Sequence, residues 1–321
     1  MQPISIVATV LNEVQDIGSL VSSLLQQTPP AAEIVVVDGG SSDGTWELLV
    51  EAAGKHNNLL PIRDESCSLK RCPGPVSRGR NVAIAAAHSE IIACADAGCS
   101  YAPDWLARLT APILGAKAEY ALGGTCLDLA DPTAWDIASA PFLGVKFSAD
   151  ELSKSCTARS MAFTKDLWQR IGGFPESVLL GEDTLFDLKA RSLTPPAFVG
   201  YAKAVYRPQN TLLSACHQLA RYAISDGILG VRRVRLVRNA TRCLLQLVAV
   251  LSLPWTVYPF LLILAMQFWL AFHSDWRFVG RTGPRALLAR FLFSVLVPWI
   301  IAINQIRGIF NKKNPTNRQN G

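Results

Sequence analysis

Residues 243–272 form a run of thirty positions without Asp, Glu, Lys or Arg. As one helix the run would reach about 45 Å, against roughly 30 Å of bilayer hydrocarbon. A tilted or broken span is therefore expected, with Pro254 and Pro259 as the kinks. Residues 286–306 are a second candidate, with one charge, Arg290, near enough to the start to snorkel. The other way to house two such segments is as buried core helices or an interfacial hairpin. Arg232, Arg233, Arg235, Arg238 and Arg242 precede the pair, and Arg307, Lys312, Lys313 and Arg318 follow it; only Arg277, Arg281 and Arg285 lie between. This asymmetry predicts a two-span hairpin with both ends cytoplasmic. The leading arginines are expected to hold the preceding domain to anionic headgroups, at about 1 kcal/mol each. Because the cluster abuts an apolar span, it points to membrane and away from nucleic acid.

The net charge of +6 over 321 residues conceals two differently built parts. Residues 1–230 carry 18 Lys/Arg and 24 Asp/Glu, a balance of −6, while residues 231–321 carry 13 Lys/Arg and one acid, Asp275, a balance of +12. The expected domains follow this division: 1–230, then a basic linker, two membrane helices and a short basic tail over 231–321. With 50% hydrophobic and 17% charged residues the chain is not a disordered one. The opening stretch MQPISIVATVLNE enters a strand-like run with no basic n-region, so no cleavable signal peptide is expected. Eight cysteines (67, 72, 94, 99, 126, 156, 216 and 243) lack zinc-site or disulfide-framework spacing and read as buried small hydrophobes in a reducing compartment.

Within 1–230, apolar runs at 4–10, 34–37 and 91–95 are each followed by small or acidic residues and then a helical pattern, over 16–27, 43–53, 76–87 and 103–114. Strand–helix alternation with continuously apolar strands predicts an α/β fold whose parallel sheet is covered on both faces. Ligands bind such sheets at the carboxyl ends of the strands. There the chain places Thr9, Asn12 and Glu13 after the first run, then VVVDGGSSDGT with Asp38 at the strand end and Asp43 as a helix cap, then ADAGCS with Asp96. Two carboxylates ending neighbouring strands repel unless a cation or ligand donors separate them. Oxygen ligands with a diphosphate suit Mg2+ or Mn2+.

Seven segments in order, ATVLNE (8–13), VVVDGGSSDGT (35–45), SRGRNVAIAAA (77–87), DAGCS (96–100), GGF (172–174), GEDTLF (181–186) and QLARY (218–222), resemble the family 2 glycosyltransferases of the membrane-anchored bacterial type. The resemblance implies the GT-A fold, a Rossmann-like, mostly parallel sheet with flanking helices, followed here by the α-helical membrane hairpin. It implies that Thr9, Glu13 and Asp38 line the nucleoside pocket and that Arg80 lies beside the nucleotide, where a guanidinium meets phosphate oxygens. Asp96 matches the first acid of the family's Asp-x-Asp metal motif, but Gly98 stands at the third position, so one expected carboxylate is missing. Asp183, next to Glu182, matches the catalytic base. Gln218, Arg221 and Tyr222 resemble a Q-x-x-R-W motif with Tyr in place of Trp; with Glu182 they would meet acceptor or diphosphate, the alternative being an amphipathic helix leading to the membrane. His88 and His217 read as structural or surface residues, and Lys70 and Arg71 as a solvated loop or one closing over the diphosphate.

The implied activity is an inverting transfer from a nucleoside-diphosphate sugar, UDP favoured, to a hydroxyl of a lipid or lipid-linked glycan. It would use a divalent cation at the cytoplasmic face of the inner membrane and would serve cell-envelope polysaccharide or glycolipid synthesis. A polyprenyl-phosphate glycosyltransferase is the alternative. Two spans enclose no polymer channel unless through oligomers, and ATVLNE is not the Gly-rich basic loop of a nucleotidyltransferase. A non-catalytic membrane-tethered binding protein would need neither Asp183 nor Asp96.

Overall fold

The computed structural model describes residues 2–128, 130, 132–145, 157–207, 211–272 and 283–313. Cys156, Arg277, Arg281 and Arg318 lie outside the described residues. Two compact units are present: Met1–Asp128 with Gly144–Arg207, and Leu129–Leu143 with Pro208–Gly321.

The first unit is one eight-stranded sheet with helices. Strands β1 (Ile4–Val10), β2 (Glu33–Asp38), β3 (Leu59–Arg63) and β4 (Ile91–Cys94) are parallel in the order β3-β2-β1-β4. β2 and β4 are buried along their whole length, as their uninterrupted apolar sequences require in a sheet covered on both faces. Helices α1 (Ile17–Leu25), α2 (Thr45–Ala53), α3 (Pro75–Ala86) and α4 (Trp105–Leu114) follow the runs as read from the sequence. Beyond β4 the sheet continues through β7 (Met161–Thr164), β6 (Tyr120–Leu127), β8 (Ala197–Tyr206) and β5 (Cys99–Tyr101). Here β7 runs antiparallel to both β4 and β6, and β5 antiparallel to β8, while β6 and β8 are parallel. The sheet is thus mixed, its parallel quartet extended by antiparallel pairings. One expectation is corrected: β1 bonds to both β2 and β4, so Asp38 and Asp96 end strands flanking β1 and not adjacent ones. Behind the sheet, Phe163, Phe174 and Phe186 pack together, the last two stacked at 4.2 Å between centroids. Phe186 belongs to α7 (Glu182–Leu193), and α6 (Lys165–Ile171) precedes it; the aromatic cluster anchors the buried face of α7 so that its first turn is fixed.

The second unit is helical: α5 (Ala134–Ser139), α8 (Leu212–Leu229), α9 (Arg233–Leu251), α10 (Tyr258–Phe272) and α11 (Pro284–Lys313). Ala289, Phe293, Val297 and Ile301 of α11 pack against Ala215, Leu219 and Ala223 of α8 and Ala138 of α5. Farther along, α8 and α11 meet backbone to backbone: a Cβ on Gly227 would lie 2.1 Å from the Gln305 carbonyl oxygen, and one on Gly308 2.2 Å from that of Ile224. Gly227→Val is therefore expected to destabilise the second unit by roughly 2–3 kcal/mol; an unchanged denaturation midpoint would contradict this crossing.

The apolar run over 243–272 is broken, one of the two forms expected of it. It breaks at residues 252–257, around Pro254, where α9 ends and before α10 begins. Pro259 is the second residue of α10, where its missing N–H is harmless, so it starts a helix and does not kink one. At 15 residues α10 reaches about 22 Å, short of the hydrocarbon thickness. Among the described residues the one helix long and apolar enough to cross a membrane is Pro284–Lys312, with mean hydropathy 2.2 and half of its most apolar window buried in the protein.

Candidate active site

At the carboxyl edge of the parallel quartet, two loops are stitched together. Asn12, at φ 55, donates its N–H to Ser41 Oγ (2.8 Å) and accepts from the Ser42 N–H at Oδ1 (3.0 Å). Glu13 N–H donates to Thr45 Oγ1 (2.8 Å) and Val14 N–H to Asp43 Oδ2 (3.0 Å). Asp43 does not cap α2, contrary to expectation. Gly44, at φ 103, occupies the cap, while Asp43 accepts from the Thr45 hydroxyl and amide and braces the neighbouring loop. Ser41, Thr45 and the bracing role of Asp43 escaped sequence reasoning; the polar density of SSDGT was the available signal.

Asp38 closes β2 fully buried. Its Oδ1 accepts from the Gly40 and Ser41 amides, both at 2.9 Å, whereas Oδ2 is buried and receives no hydrogen bond from the described residues. Buried polar atoms are almost always paired, which sets this oxygen apart from the rest of the sheet edge. Glu13 is half-buried; burial first, then the charges of Asp16, Asp43 and Asp96, push its carboxyl above the ordinary range. Thr9 packs against Gly79 of α3, where a Cβ would lie only 2.7 Å from Thr9 Cγ2. This close approach of α3 to β1 delivers the next residue, Arg80, to the site.

Arg80 is 3% exposed. Its guanidinium bridges two carboxylates, Nη2 to Asp96 Oδ1 at 2.6 Å and Nη1 to Glu182 Oε1 at 2.7 Å, and it lies over the Phe174 ring at 5.4 Å. Burial alone would work against its charge; Asp96 and Glu182 outweigh that and hold it protonated. The resemblance placed Arg80 beside phosphate oxygens; the structure commits both terminal nitrogens to carboxylates. Glu182 opens α7 behind Gly181, at φ 82. Asp183 follows, its Oδ1 accepting from the Thr184 amide at 2.6 Å. Desolvation, then the charge of Glu182, push the Asp183 carboxyl up to about 6, with Arg80 and the Thr184 amide opposing. Asp96, Glu182 and Asp183 thus form an acidic cluster around one cation.

Asp96 is held by its backbone as well. Its N–H donates to Tyr101 Oη, which donates to the Arg159 carbonyl, both at 2.9 Å, and Arg159 lies over Tyr206 at 4.0 Å. These partners of Asp96 carried no sequence signal. Gly98, at φ 69, accepts from the Arg207 amide. The donor set for a cation is therefore one carboxylate, with one oxygen already on Arg80. Among the described residues no group of three His, Cys, Asp or Glu side chains forms a metal cage. Such a set fits Mg2+ or Mn2+ only where the remaining ligands are supplied by water and a bound ligand.

In the second unit, Gln218 and Tyr222 are joined on α8, Nε2 to Oη at 3.2 Å, and Arg221 is exposed beside them. His217 is exposed, and His88 Nδ1 pairs with Glu33 at 2.9 Å, a structural contact. Lys70 and Arg71 are solvated. Six of the described cysteines are buried, Cys216 is half-buried, and all are free thiols.

The model of glycosyl transferase family 2 matches residues 5–165. A curated relative, glycosyltransferase AglE of Haloferax volcanii, is 27% identical over 205 residues, covering 58% of this chain and 60% of its own. The chain thus spans less than two thirds of that relative's length. Among solved structures, S. aureus TarS 1-349 in complex with UDP aligns with 98% of this chain and 92% of its own at TM-score 0.51 and 18% identity. Mannosyltransferase PcManGT from Pyrobaculum calidifontis, in complex with GDP-Man and Mn2+, aligns with 98% of this chain and 88% of its own at TM-score 0.56 and 17% identity. These structures share the fold.

Proposed function

Since the chain belongs to glycosyl transferase family 2, we propose that it moves a sugar, with inversion, from a nucleoside diphosphate to a hydroxyl of a lipid or lipid-linked acceptor. The observation that carries the reading is the place of Asp183 in the first turn of α7, next to Glu182, which Arg80 joins to Asp96; burial and the charge of Glu182 push the Asp183 carboxyl up to about 6. An alcohol is too weak an acid to ionise at neutral pH, whereas a carboxylate raised toward neutrality is a matched base. The acceptor oxygen bonds to the anomeric carbon as its proton passes to Asp183. The bond from that carbon to the diphosphate breaks, and its electron pair leaves with the nucleoside diphosphate. A phosphate acceptor, already ionised, would give this carboxylate little to do, which sets the hydroxyl reading above the polyprenyl-phosphate one.

Asp38 Oδ2, buried and unmet, supports a nucleobase N–H as the donor it awaits, with Thr9 and Glu13 at the same edge. Asp96 would hold a divalent cation together with the diphosphate, and the cation would neutralise charge gathering on the leaving group. The resemblance assigns Glu182, Gln218, Arg221 and Tyr222 to contact with acceptor or diphosphate. AglE is called a glycosyltransferase, and the solved neighbours were crystallised with UDP and with GDP-Man and Mn2+; the sequence reading favours a UDP-sugar donor. The exposed apolar helices and arginines of the second unit favour attachment to the cytoplasmic face of the inner membrane. Turnover against a panel of UDP-, GDP- and dTDP-sugars with Mg2+ or Mn2+ tests this. Cation-dependent release of a nucleoside diphosphate, fastest from a UDP-sugar, is expected; absence of binding and release across the panel would end the proposal.

A further inference from the structure

The second unit exposes large apolar side chains in rows along its helices. Trp255 is 83% exposed, Tyr258 78% and Leu262 70%, and they continue the apolar flank of α9 at Leu244, Val248 and Leu251. On α11 a second outward stripe, Leu288, Leu292, Trp299, Ile303, Ile306 and Phe310, recurs at helical spacing. Contiguous surfaces of this kind mark a partner or a membrane. Charge identifies which: Arg233 and Arg238 are exposed at the start of α9, and from residue 231 onward the sequence holds a single acid, Asp275. A Cβ on Gly230 would lie 3.9 Å from both Arg233 Nη2 and Lys312 Nζ, so the start of α9 and the end of α11 bring cations to one place. Apolar rows, exposed Trp and Tyr and a basic rim match a bilayer interface with anionic headgroups.

The same packing decides how the membrane is met. The buried face of α11, from Ala289 to Gly308, packs on Ala138 of α5 and on α8 from Ala215 to Gly227, a stretch of α8 about 18 Å long, more than half of the hydrocarbon thickness. α8 carries exposed His217 and Arg221, and near its end Asp226 binds Arg232 and Arg235, each at 3.1 Å. A spanning α11 would carry His217 and Arg221, which lie along the packed stretch of α8, into hydrocarbon, where an ionisable group is costly.

We infer that the second unit is monotopic: α9, α10 and the outer stripe of α11 lie in the interface of one anionic leaflet, and none of the described helices crosses the bilayer. The inference rests on the membrane reading above and replaces its mode of attachment. The full chain is tested by flotation with phosphatidylcholine vesicles, with and without phosphatidylglycerol. Binding is expected to require the anionic lipid and to weaken about fivefold for each of Arg233→Gln and Arg238→Gln. Leu262→Asp, at an exposed position, should weaken it about tenfold or more while the protein stays folded. In a Cys156→Ser/Cys216→Ser background, Arg285→Cys and Lys312→Cys at the two ends of α11 are then treated with an impermeant maleimide in sealed vesicles. Labelling of both from the same side is expected; labelling from opposite sides means a span and overturns the inference. Flotation indifferent to Leu262→Asp, with dimers becoming monomers, would assign the face to a second copy and overturn it equally. Release of nucleoside diphosphate, read separately in the same preparations, distinguishes failure of this geometry from failure of the transferase reading.

Discussion

Asp183→Asn is expected to lower sugar transfer by about 10²–10⁴-fold while nucleotide affinity stays within a few-fold. Asn keeps the shape and can still accept from the Thr184 amide, but it takes no proton. The wild-type rate should also carry an acidic limb. The carboxyl, pushed up to about 6 by desolvation and by Glu182, is ionised above that pH and protonated below it, so kcat/KM should fall as pH drops through about 6. Stability runs the other way. The folded chain holds this proton more tightly than the unfolded chain, whose carboxyl has an ordinary value, so stability is lost as pH rises from about 4 to about 6. The Asn variant escapes that loss and should match or exceed the wild type at neutral pH, by on the order of 1–2 kcal/mol. Unchanged turnover in the variant, or a rate flat from pH 5 to 8, would remove Asp183 as the base.

The parts of this site that are legible in the sequence are those set by local pattern. β1, β2 and β4 announce themselves because strands buried on both faces must be apolar throughout, and Asp38 and Asp96 announce themselves by ending them. Partnership over distance is not legible. Arg80 reads as one cation in a helical segment, yet its carboxylates stand 16 and 102 residues away and turn it from a solvent-facing group into a buried clamp. Asp43 has the residue type and position of a cap; only the meeting of two loops shows that Val14 takes one of its oxygens. The order β4-β7-β6-β8 is equally hidden, since antiparallel pairing of β7 with β4 joins residues some seventy positions apart. Hydropathy fails differently in the second unit. The length of the apolar run and Pro254 announce the break at 252–257, but hydropathy cannot see that one apolar face of α11 is spent on α8 while another faces out.

Arg80→Met should produce the largest change in stability at the site, because it leaves Asp96 and Glu182 without the buried cation that joins them. Breaking such a pair by removing one partner typically costs about 3–5 kcal/mol, most of it the penalty of the charges left behind. Its kinetic signature separates two roles for the residue. If Arg80 chiefly meets phosphate oxygens, its loss raises KM for the nucleotide sugar and leaves the acidic limb in place. If it chiefly governs the acidic cluster, its loss removes the charge that opposes the upward push on Asp183, so the limb moves above pH 6. The second outcome is expected here, since both terminal nitrogens are already bonded to carboxylates at 2.6 and 2.7 Å. Arg80→Lys refines the test: a lysine keeps the charge but lacks the fork that spans two carboxylates. It should therefore restore much of the limb's position and less of the stability. A limb unmoved in Arg80→Met, with KM alone raised, would return Arg80 to the phosphate and leave the elevation of Asp183 to burial and Glu182.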